Sequence, residues 1–303
     1  MNADGRDAAP DAPDAPDAPD APDVPDAPSA PSVQSAPDAT TAGSAQEVQG
    51  AAGDEPRVVR TAATDRRLAL LWDPPAPSGR GRKPRFVLED VVRAALRVVA
   101  REGLEALTMR RVAAELGVGT MTLYTYVPGR AELLDLMVDR VYAELRLPEP
   151  GSGWRDELAR YAREHHRMYV RHPWVLQSNV WRTPLAPHVL DAQECGLRIL
   201  LGAGLPARRV VQTLGMIDAA MQGLARAAAA EHAESTATGE DVQEYWESLS
   251  AFWVDYFDQD RYPTMLRVYL EGGFDAVSDP LESALEWILD GVGTAIGQAA
   301  ETH

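Results

Sequence analysis

The chain has 303 residues, a formal net charge of −17 and a single cysteine. Its length allows about two domains. One cysteine excludes an intrachain disulfide and a cysteine-built zinc site. Because the chain contains neither a basic-then-apolar leader nor an uncharged apolar run of about eighteen residues, we expect a cytoplasmic protein with no membrane partner.

Residues 1–56 predict a disordered acidic tail. Residues 11–28 repeat Asp-Ala-Pro almost without change, and few large apolar residues occur before position 57. Twelve acidic residues against one arginine give the tail a charge of −11, so most of the acidity of the chain belongs to it. The tail is either a passive solubilising segment or a competitor for basic surface elsewhere in the chain.

Residues 57–85 predict a flexible basic arm, because eight arginines and lysines lie among prolines and glycines. Such an arm can lie along a nucleic-acid backbone or enter a minor groove. A solvated linker is one alternative. In another, residues 68–72 pack on the body of the protein as a short helix. Residues 57–146 together hold sixteen basic and eleven acidic side chains, so this block suits a polyanion.

Residues 107–134 predict a helix-turn-helix followed by a further helix. Thr108 is a suitable N-cap for a short first helix, and Gly117 ends it at a tight turn. In the second helix Leu123 is an inward anchor, while its hydroxyl-bearing neighbours suit base edges and phosphates. The helix before this motif has an apolar stripe at Leu88, Val91, Val92, Ala95, Leu96 and Val99, and the helix after it spans residues 130–145.

The candidate DNA contacts form two groups. We expect Thr120, Thr122 and Tyr124 near bases. We expect Thr108, Arg110, Arg111, Tyr126 and Arg130 near phosphates. For Arg111 and Tyr126 the alternative is ordinary exposure to solvent.

Beyond residue 146 the pattern remains helical, with Pro and Gly stops and no competing strand, so we expect an all-α protein. The predicted helices cover residues 154–171, 173–181, 186–203, 206–230, 241–257 and 280–298. Apolar stripes in the helices at 206–230 and 280–298 are wide enough to be buried.

The segment 86–145 resembles the DNA-binding domain of the TetR family of bacterial repressors. The resemblance rests on REG at 101–103, Thr108 and Arg110, LGV at 116–118, TLY at 122–124, and Gly129-Arg130 before ELL. The segment 153–174 and LEWILDGV at 285–292 resemble the C-terminal domain of the tetracycline repressor subgroup. The resemblance implies a homodimer formed by the helices at 206–230 and 280–298, and an effector domain over residues 146–303. The alternative is that these two helices close the core of a monomer. The resemblance also implies that the dimer binds a near-palindromic operator and that the effector releases the dimer from this operator.

Six of the seven tryptophans lie in this second domain, where they suit a pocket for an aromatic or apolar effector and a packed helical core equally well. The resemblance to the tetracycline repressor subgroup favours the pocket. Where the tetracycline repressor has a magnesium-binding histidine, this chain has Asn179, so we do not expect it to recognise tetracycline with magnesium. A different aromatic or polycyclic effector, or no effector at all, fits better. We expect neither a metal site nor a cofactor. The candidate effector contacts are Asn179, Trp181, Gln212, Met216, Met221 and Gln222.

No enzyme motif occurs in the sequence. His165 and His166 are adjacent, so on a helix they point about 100° apart and do not form an i, i+4 metal pair; we expect both at the surface. The chain has no G-x-S-x-G phrase and no Gly-rich phosphate loop. We therefore expect a cytoplasmic, nucleoid-associated repressor, with a ligand-binding protein that lacks specific DNA binding, or an activator, as alternatives.

Overall fold

A computed structural model describes residues 61–74, 86–178, 183–239, 242–274 and 279–301 of the chain. All of them belong to one compact unit, Val58–His303. Over these residues the protein has twelve α-helices, two short 3-10 helices and no strand, which confirms the all-α prediction. The predicted tail, residues 1–56, lies outside the described residues.

The first described element is helix α1, Ala62–Trp72, inside the predicted basic arm. Thr61 caps it, because its Oγ1 accepts a hydrogen bond from the backbone N–H of Thr64 at 3.1 Å. Leu70 is buried, and the helix packs against α5, Arg130–Tyr142. Residues 62–72 therefore form a packed helix, as in the alternative prediction for residues 68–72, and not an extended arm. The rest of the arm lies outside the described residues, apart from Thr61, Asp73 and Pro74.

The helices of the N-terminal head pack around one small core. They are α2, Leu88–Glu102; a 3-10 turn, Leu104–Ala106; α3, Met109–Leu116; α4, Thr120–Tyr124; and α5. Val91, Val112 and Leu123 are completely buried between them. The stripe predicted for α2 faces this core, whereas α5 ends at Tyr142, one turn earlier than predicted.

The helices of the body surround a second part of the core. They are α6, Trp154–Arg171; a 3-10 helix, Pro173–Gln177; α7, Pro187–Gly202; α8, Ala207–Thr238; and α12, Pro280–Glu301. Helix α6 packs against α7, α8 and α12. Helix α8 runs eight residues beyond its predicted end because the alanine-rich segment after residue 226 favours helix without an apolar stripe, and it stops at Gly239 with φ +78°.

Between α8 and α12 the structure differs from the predicted helix at 241–257. Two short helices, α9, Val242–Ser248, and α10, Ser250–Asp255, meet at Leu249. A third, α11, Pro263–Leu270, was not predicted. Its Pro263 occupies the first turn, where a proline N–H is not needed, but eight residues show too little periodicity to be recognised.

Candidate DNA-binding surface and effector cavity

The turn between α3 and α4 has the geometry that the sequence predicts. Thr108 Oγ1 accepts the backbone N–H of Arg111 at 3.2 Å and caps α3. Gly117 adopts φ +67°, and the N–H of Val118 donates to the carbonyl of Ala113 at 3.0 Å. This left-handed end satisfies the last carbonyls of α3 and directs the chain into α4.

Helix α4 buries one side chain and exposes a short surface. Leu123 is completely buried, while Thr122 and Tyr124 are exposed and Thr120 is half-buried. Met121, which is 79% exposed, lies on the same short helix and was not predicted as a contact. A methionine can contact the methyl group of thymine, so its place on α4 is the signal that could have identified it.

The predicted phosphate contacts have different surroundings. Thr108 and Arg110 are exposed, and Arg110 has no ion pair within the described part of the chain. Tyr126 is half-buried and packs against Phe86, with ring centroids 4.7 Å apart. Of these three residues only Arg110 carries a positive charge, and its exposed side chain suits a contact with a phosphate.

Arg111 belongs to a network of side chains on α2 and α3. Its guanidinium donates to Glu102 at 2.7 Å and to Glu115 at 3.3 Å. Hydrogen bonds from Arg101 and then Arg97 lower the pKa of Glu115 to about 2. The structure thus gives Arg111 internal partners that link α2 and α3, and its phosphate contact remains a prediction.

Arg130 is also occupied internally. Its Nε donates to the carbonyl of Leu107 at 2.8 Å and its Nη2 to the carbonyl of Leu104 at 3.3 Å. These bonds tie the first turn of α5 to the segment before α3. Arg130 therefore holds α5 against the segment that leads into α3 and α4, the two helices that form the reading head, and its phosphate contact remains a prediction.

Two cavities lie behind the head, one of about 160 Å³ and one of about 290 Å³. Both are lined by Tyr142 of α5, Thr183 and Asp218 of α8, so they adjoin. The smaller cavity is bounded by α1, α5, the 3-10 helix and α8, and the larger one by α6, α7 and α8. Together they approach the size of a small-molecule site.

A chain of hydrogen bonds runs along the cavity wall. Tyr169 donates its hydroxyl to Asp218 Oδ1 at 2.7 Å and lies 3.4 Å from the hydroxyl of Tyr142. Gln222 donates to Asp218 Oδ2 at 2.7 Å and accepts from Arg226 at 3.1 Å. Burial raises the pKa of Tyr142 to about 12 and that of Tyr169 well above its usual value, so both phenols stay neutral.

His165 lines the larger cavity and is only 3% exposed, which corrects the expectation of a surface residue. It shares a face of α6 with Tyr161, whose ring centroid is 4.1 Å away and whose carbonyl lies 2.9 Å from Nδ1. Burial lowers the pKa of His165, so the ring is neutral at pH 7. His166, the next residue, is half-buried.

The predicted effector contacts are only partly brought together. Gln222 lines the smaller cavity. Met221 is completely buried in the core and lines neither cavity, while Gln212 and Met216 lie on the exposed face of α8. Asn179 and Trp181 lie outside the described residues.

Asp218 and the tyrosines that accompany it are not among the residues predicted from the sequence. Asp218 is four residues from both Leu214 and Gln222, which are buried, so it lies near the buried face of α8. Tyr161, His165 and Tyr169 repeat every four residues on α6. Two signals in the sequence could have identified this site. One is an acidic residue beside the apolar stripe of α8, and the other is a stripe of polar aromatic residues on α6.

No cluster of three metal-ligating side chains occurs within the described ranges. Over the same ranges the structure contains no helix with the length and apolar character needed to span a membrane.

Two family models match the chain. Residues 91–137 match "Bacterial regulatory proteins, tetR family", and residues 147–296 match "Tetracyclin repressor-like, C-terminal domain". Helix α1 lies before both matches.

Among curated relatives, the transcriptional repressor DrrR1 of Streptomyces coeruleorubidus is 40% identical over 77% of this chain and 87% of its own length. The class E tetracycline repressor of Escherichia coli is 28% identical over 44% of this chain and 64% of its own length.

Among solved structures, apo ActR of Streptomyces coelicolor superposes with a TM-score of 0.61 at 26% identity, covering 72% of this chain and all of that one. ActR in complex with actinorhodin gives the same TM-score and identity over 71% of this chain and 99% of that one. With two matching family models, a closely similar repressor and this shared fold, the chain belongs to the TetR family of transcriptional regulators.

Proposed function

We propose that this protein is a homodimeric repressor that binds a near-palindromic operator and is released by a small aromatic or apolar effector. The observation that carries the proposal is that α5 serves two sites at once. Its first turn is bonded to the reading head through Arg130, and its Tyr142 end lines both cavities. A molecule in the cavities therefore contacts the helix that sets the position of α4.

Exposed apolar side chains support the dimer. Trp287 on α12 is 82% exposed, and Val211 and Met216 on α8 are 64% and 53% exposed. Large apolar side chains gathered on two long helices are typical of an interface. We propose that α8 and α12 of two copies form a four-helix bundle, as the resemblance implies.

A two-fold dimer presents two α4 helices to two half-sites, about 34–36 Å apart or a multiple of that distance. In each half-site we propose Thr120, Thr122 and Tyr124 near bases, joined by Met121, with Arg110, Thr108 and Tyr126 at the backbone. The protein then acts in the cytoplasm, associated with the nucleoid while it is bound to its operator.

The cavities support the effector. Their walls combine apolar side chains and neutral phenols with a few polar and charged groups, among them Gln222, Asp218, Asp135 and Arg67, a composition suited to an aromatic molecule with a few polar groups. The similarity to ActR, solved in complex with actinorhodin, makes aromatic compounds of that kind the first to test. Coupling between effector and operator sites is typically worth about 1–3 kcal/mol.

The test measures binding and release together. Actinorhodin and further aromatic compounds are titrated into the wild type and into Leu134→Trp, in which the bulkier side chain narrows the smaller cavity. Tryptophan fluorescence reports compound binding, and a labelled duplex reports DNA release. We expect a compound that binds the wild type and releases the duplex, with both effects lost in Leu134→Trp. A compound that binds the wild type but not Leu134→Trp, and yet never releases the duplex from the wild type, would contradict the coupling between the cavity and the DNA-binding surface.

A further inference from the structure

Helix α1 lies upstream of both segments that match the family models, yet it forms part of the cavity. Leu70 buries its side chain in the core, and Arg67, one turn earlier, lines the smaller cavity. At the end of the helix, the indole N–H of Trp72 donates to the carbonyl of Leu185 at 2.8 Å. Leu185 follows Thr183 and Pro184, which line the same cavity, so α1 is fastened at the cavity rim.

Arg67 makes a two-point ion pair with Asp135 of α5 through its Nε and Nη2 groups. The Arg67 side chain is 19% exposed and that of Asp135 is 9% exposed, so little water screens the pair. A guanidinium carries five N–H donors, and Asp135 engages those on one edge. Arg67 Nη1 has no hydrogen-bond partner among the residues that the structure describes.

The charges around the cavity decide which chemical group suits these remaining donors. Two carboxylates, Asp135 and Asp218, line the smaller cavity together with one guanidinium, Arg67. An anionic ligand would face a net negative wall, whereas a neutral carbonyl oxygen can accept from Arg67 without that repulsion. Leu134, Val138 and Leu176 supply the apolar wall for the rest of such a molecule.

We propose that Arg67 recognises a carbonyl oxygen of the effector, and that α1 is a wall of the effector site. The proposal deepens the proposed function and rests on it. Because Arg67 is paired with Asp135, an effector bound to Arg67 is linked through this ion pair to α5, the helix that sets the position of α4. Effector specificity thus depends on a helix outside the regions that match the family models.

The test uses two fluorescent naphthalenes that differ in one group. Prodan carries a ketone, and 2-(dimethylamino)naphthalene is the same aromatic amine without it. Both are titrated into the full-length wild type, Leu134→Trp, Arg67→Met, the double variant Arg67→Met/Asp135→Asn, and Arg66→Met. The double variant also removes the charge of the Asp135 carboxylate, which loses its Arg67 partner in Arg67→Met. Arg66→Met is the matched control, because Arg66 is the adjacent, exposed arginine whose Nε bonds only the carbonyl of Ala62.

We expect the wild type and Arg66→Met to bind prodan about tenfold more tightly than its ketone-free counterpart, the scale of a hydrogen bond from a charged group. Both Arg67 variants should lose this preference and bind the ketone-free compound as the wild type does. In the wild type, the prodan emission should show the shift that follows hydrogen bonding to its carbonyl, and both Arg67 variants should lack it.

Two results overturn the proposal in distinguishable ways. If Leu134→Trp weakens binding of both compounds but the Arg67 variants keep the preference for prodan, the cavity binds aromatic molecules and Arg67 does not recognise the carbonyl. If Leu134→Trp changes the binding of neither compound, the cavity is not an aromatic site. That result rejects the effector site of the proposed function and the role of Arg67 with it.

Discussion

Asp139 of α5 accepts two hydrogen bonds from His188 at the start of α7, one from the backbone N–H to Oδ1 and one from the imidazole Nδ1 to Oδ2, each at 2.8 Å. Asp135, one turn earlier on α5, holds Arg67 of α1. Two carboxylates on successive turns of α5 thus attach the helix to α7 of the body and to α1. The helix that follows the reading head is anchored by charge as well as by packing.

Replacing Asp139 should weaken the anchor to α7. We expect Asp139→Ala to lose about 1–3 kcal/mol of unfolding free energy, because a half-buried charged acceptor with two donors is removed. Effector-driven release of DNA should fall while DNA affinity without effector stays within a few fold. Chemical unfolding and duplex release measure the two effects. Asp191→Ala, at an exposed aspartate of α7, is the matched control, and equal effects of the two variants would argue against the anchor.

Tyr124 should be essential for specific DNA binding. It is 45% exposed on α4, so Tyr124→Ala removes surface without opening the core. We expect specific affinity to fall at least tenfold, toward non-specific binding, while effector affinity remains intact. Competition between specific and random duplexes measures the first, and fluorescence titration the second. Loss of both would indicate misfolding.

Arg110 and Arg130 should behave differently although both are arginines of the head. Arg110→Ala should weaken binding to all sequences and reduce the salt slope by about one, as expected when one phosphate contact is lost. Arg130→Ala should keep the slope but lower the unfolding free energy by about 1–3 kcal/mol, because two carbonyls lose a charged donor. Salt titrations of DNA affinity and urea unfolding separate the two roles, and a reduced slope in Arg130→Ala would restore its phosphate contact.

Stability of the head should depend on pH through Glu115. Its pKa in the folded protein is about 2, below its ordinary value of 4.5, so its pairing stabilises the fold above pH 4.5 and is lost as the pH falls toward 2. The stability difference between wild type and Glu115→Gln should therefore be full at pH 7 and shrink over that window. Urea unfolding at several pH values tests this. Glu105→Gln, at an exposed site, should show no such trend, and a constant difference for Glu115→Gln would contradict the pairing.

Trp287 should hold the dimer together. We expect Trp287→Arg to sediment as a monomer, because a charge replaces a large apolar side chain at the proposed bundle. The monomer should bind a single half-site weakly and lose tight binding to the palindrome. A Trp287→Arg protein that still sediments as a dimer would place the interface elsewhere.

The sequence predicted the head more completely than the cavity. Periodicity and Gly117 locate α2, α3 and α4, because their core and turn are local in sequence. His165 illustrates the limit: its neighbour His166 has the same chemistry, and only the four-residue repeat of His165 with Tyr161 and Tyr169 on α6 separates the two in the sequence. The sequence also does not show that the fold brings internal acceptors to Arg111 and Arg130, whose phosphate contacts remain predictions.

The most direct test is selection of the purified full-length protein against random duplex DNA at one near-physiological salt concentration, followed by sequencing of the retained DNA. Specific binding by a symmetric dimer predicts an enriched near-palindrome with half-sites one helical turn, or a multiple of it, apart. Retention of DNA without any common motif would contradict the account, because the α3–α4 surface would then bind DNA only through electrostatic attraction to the phosphates.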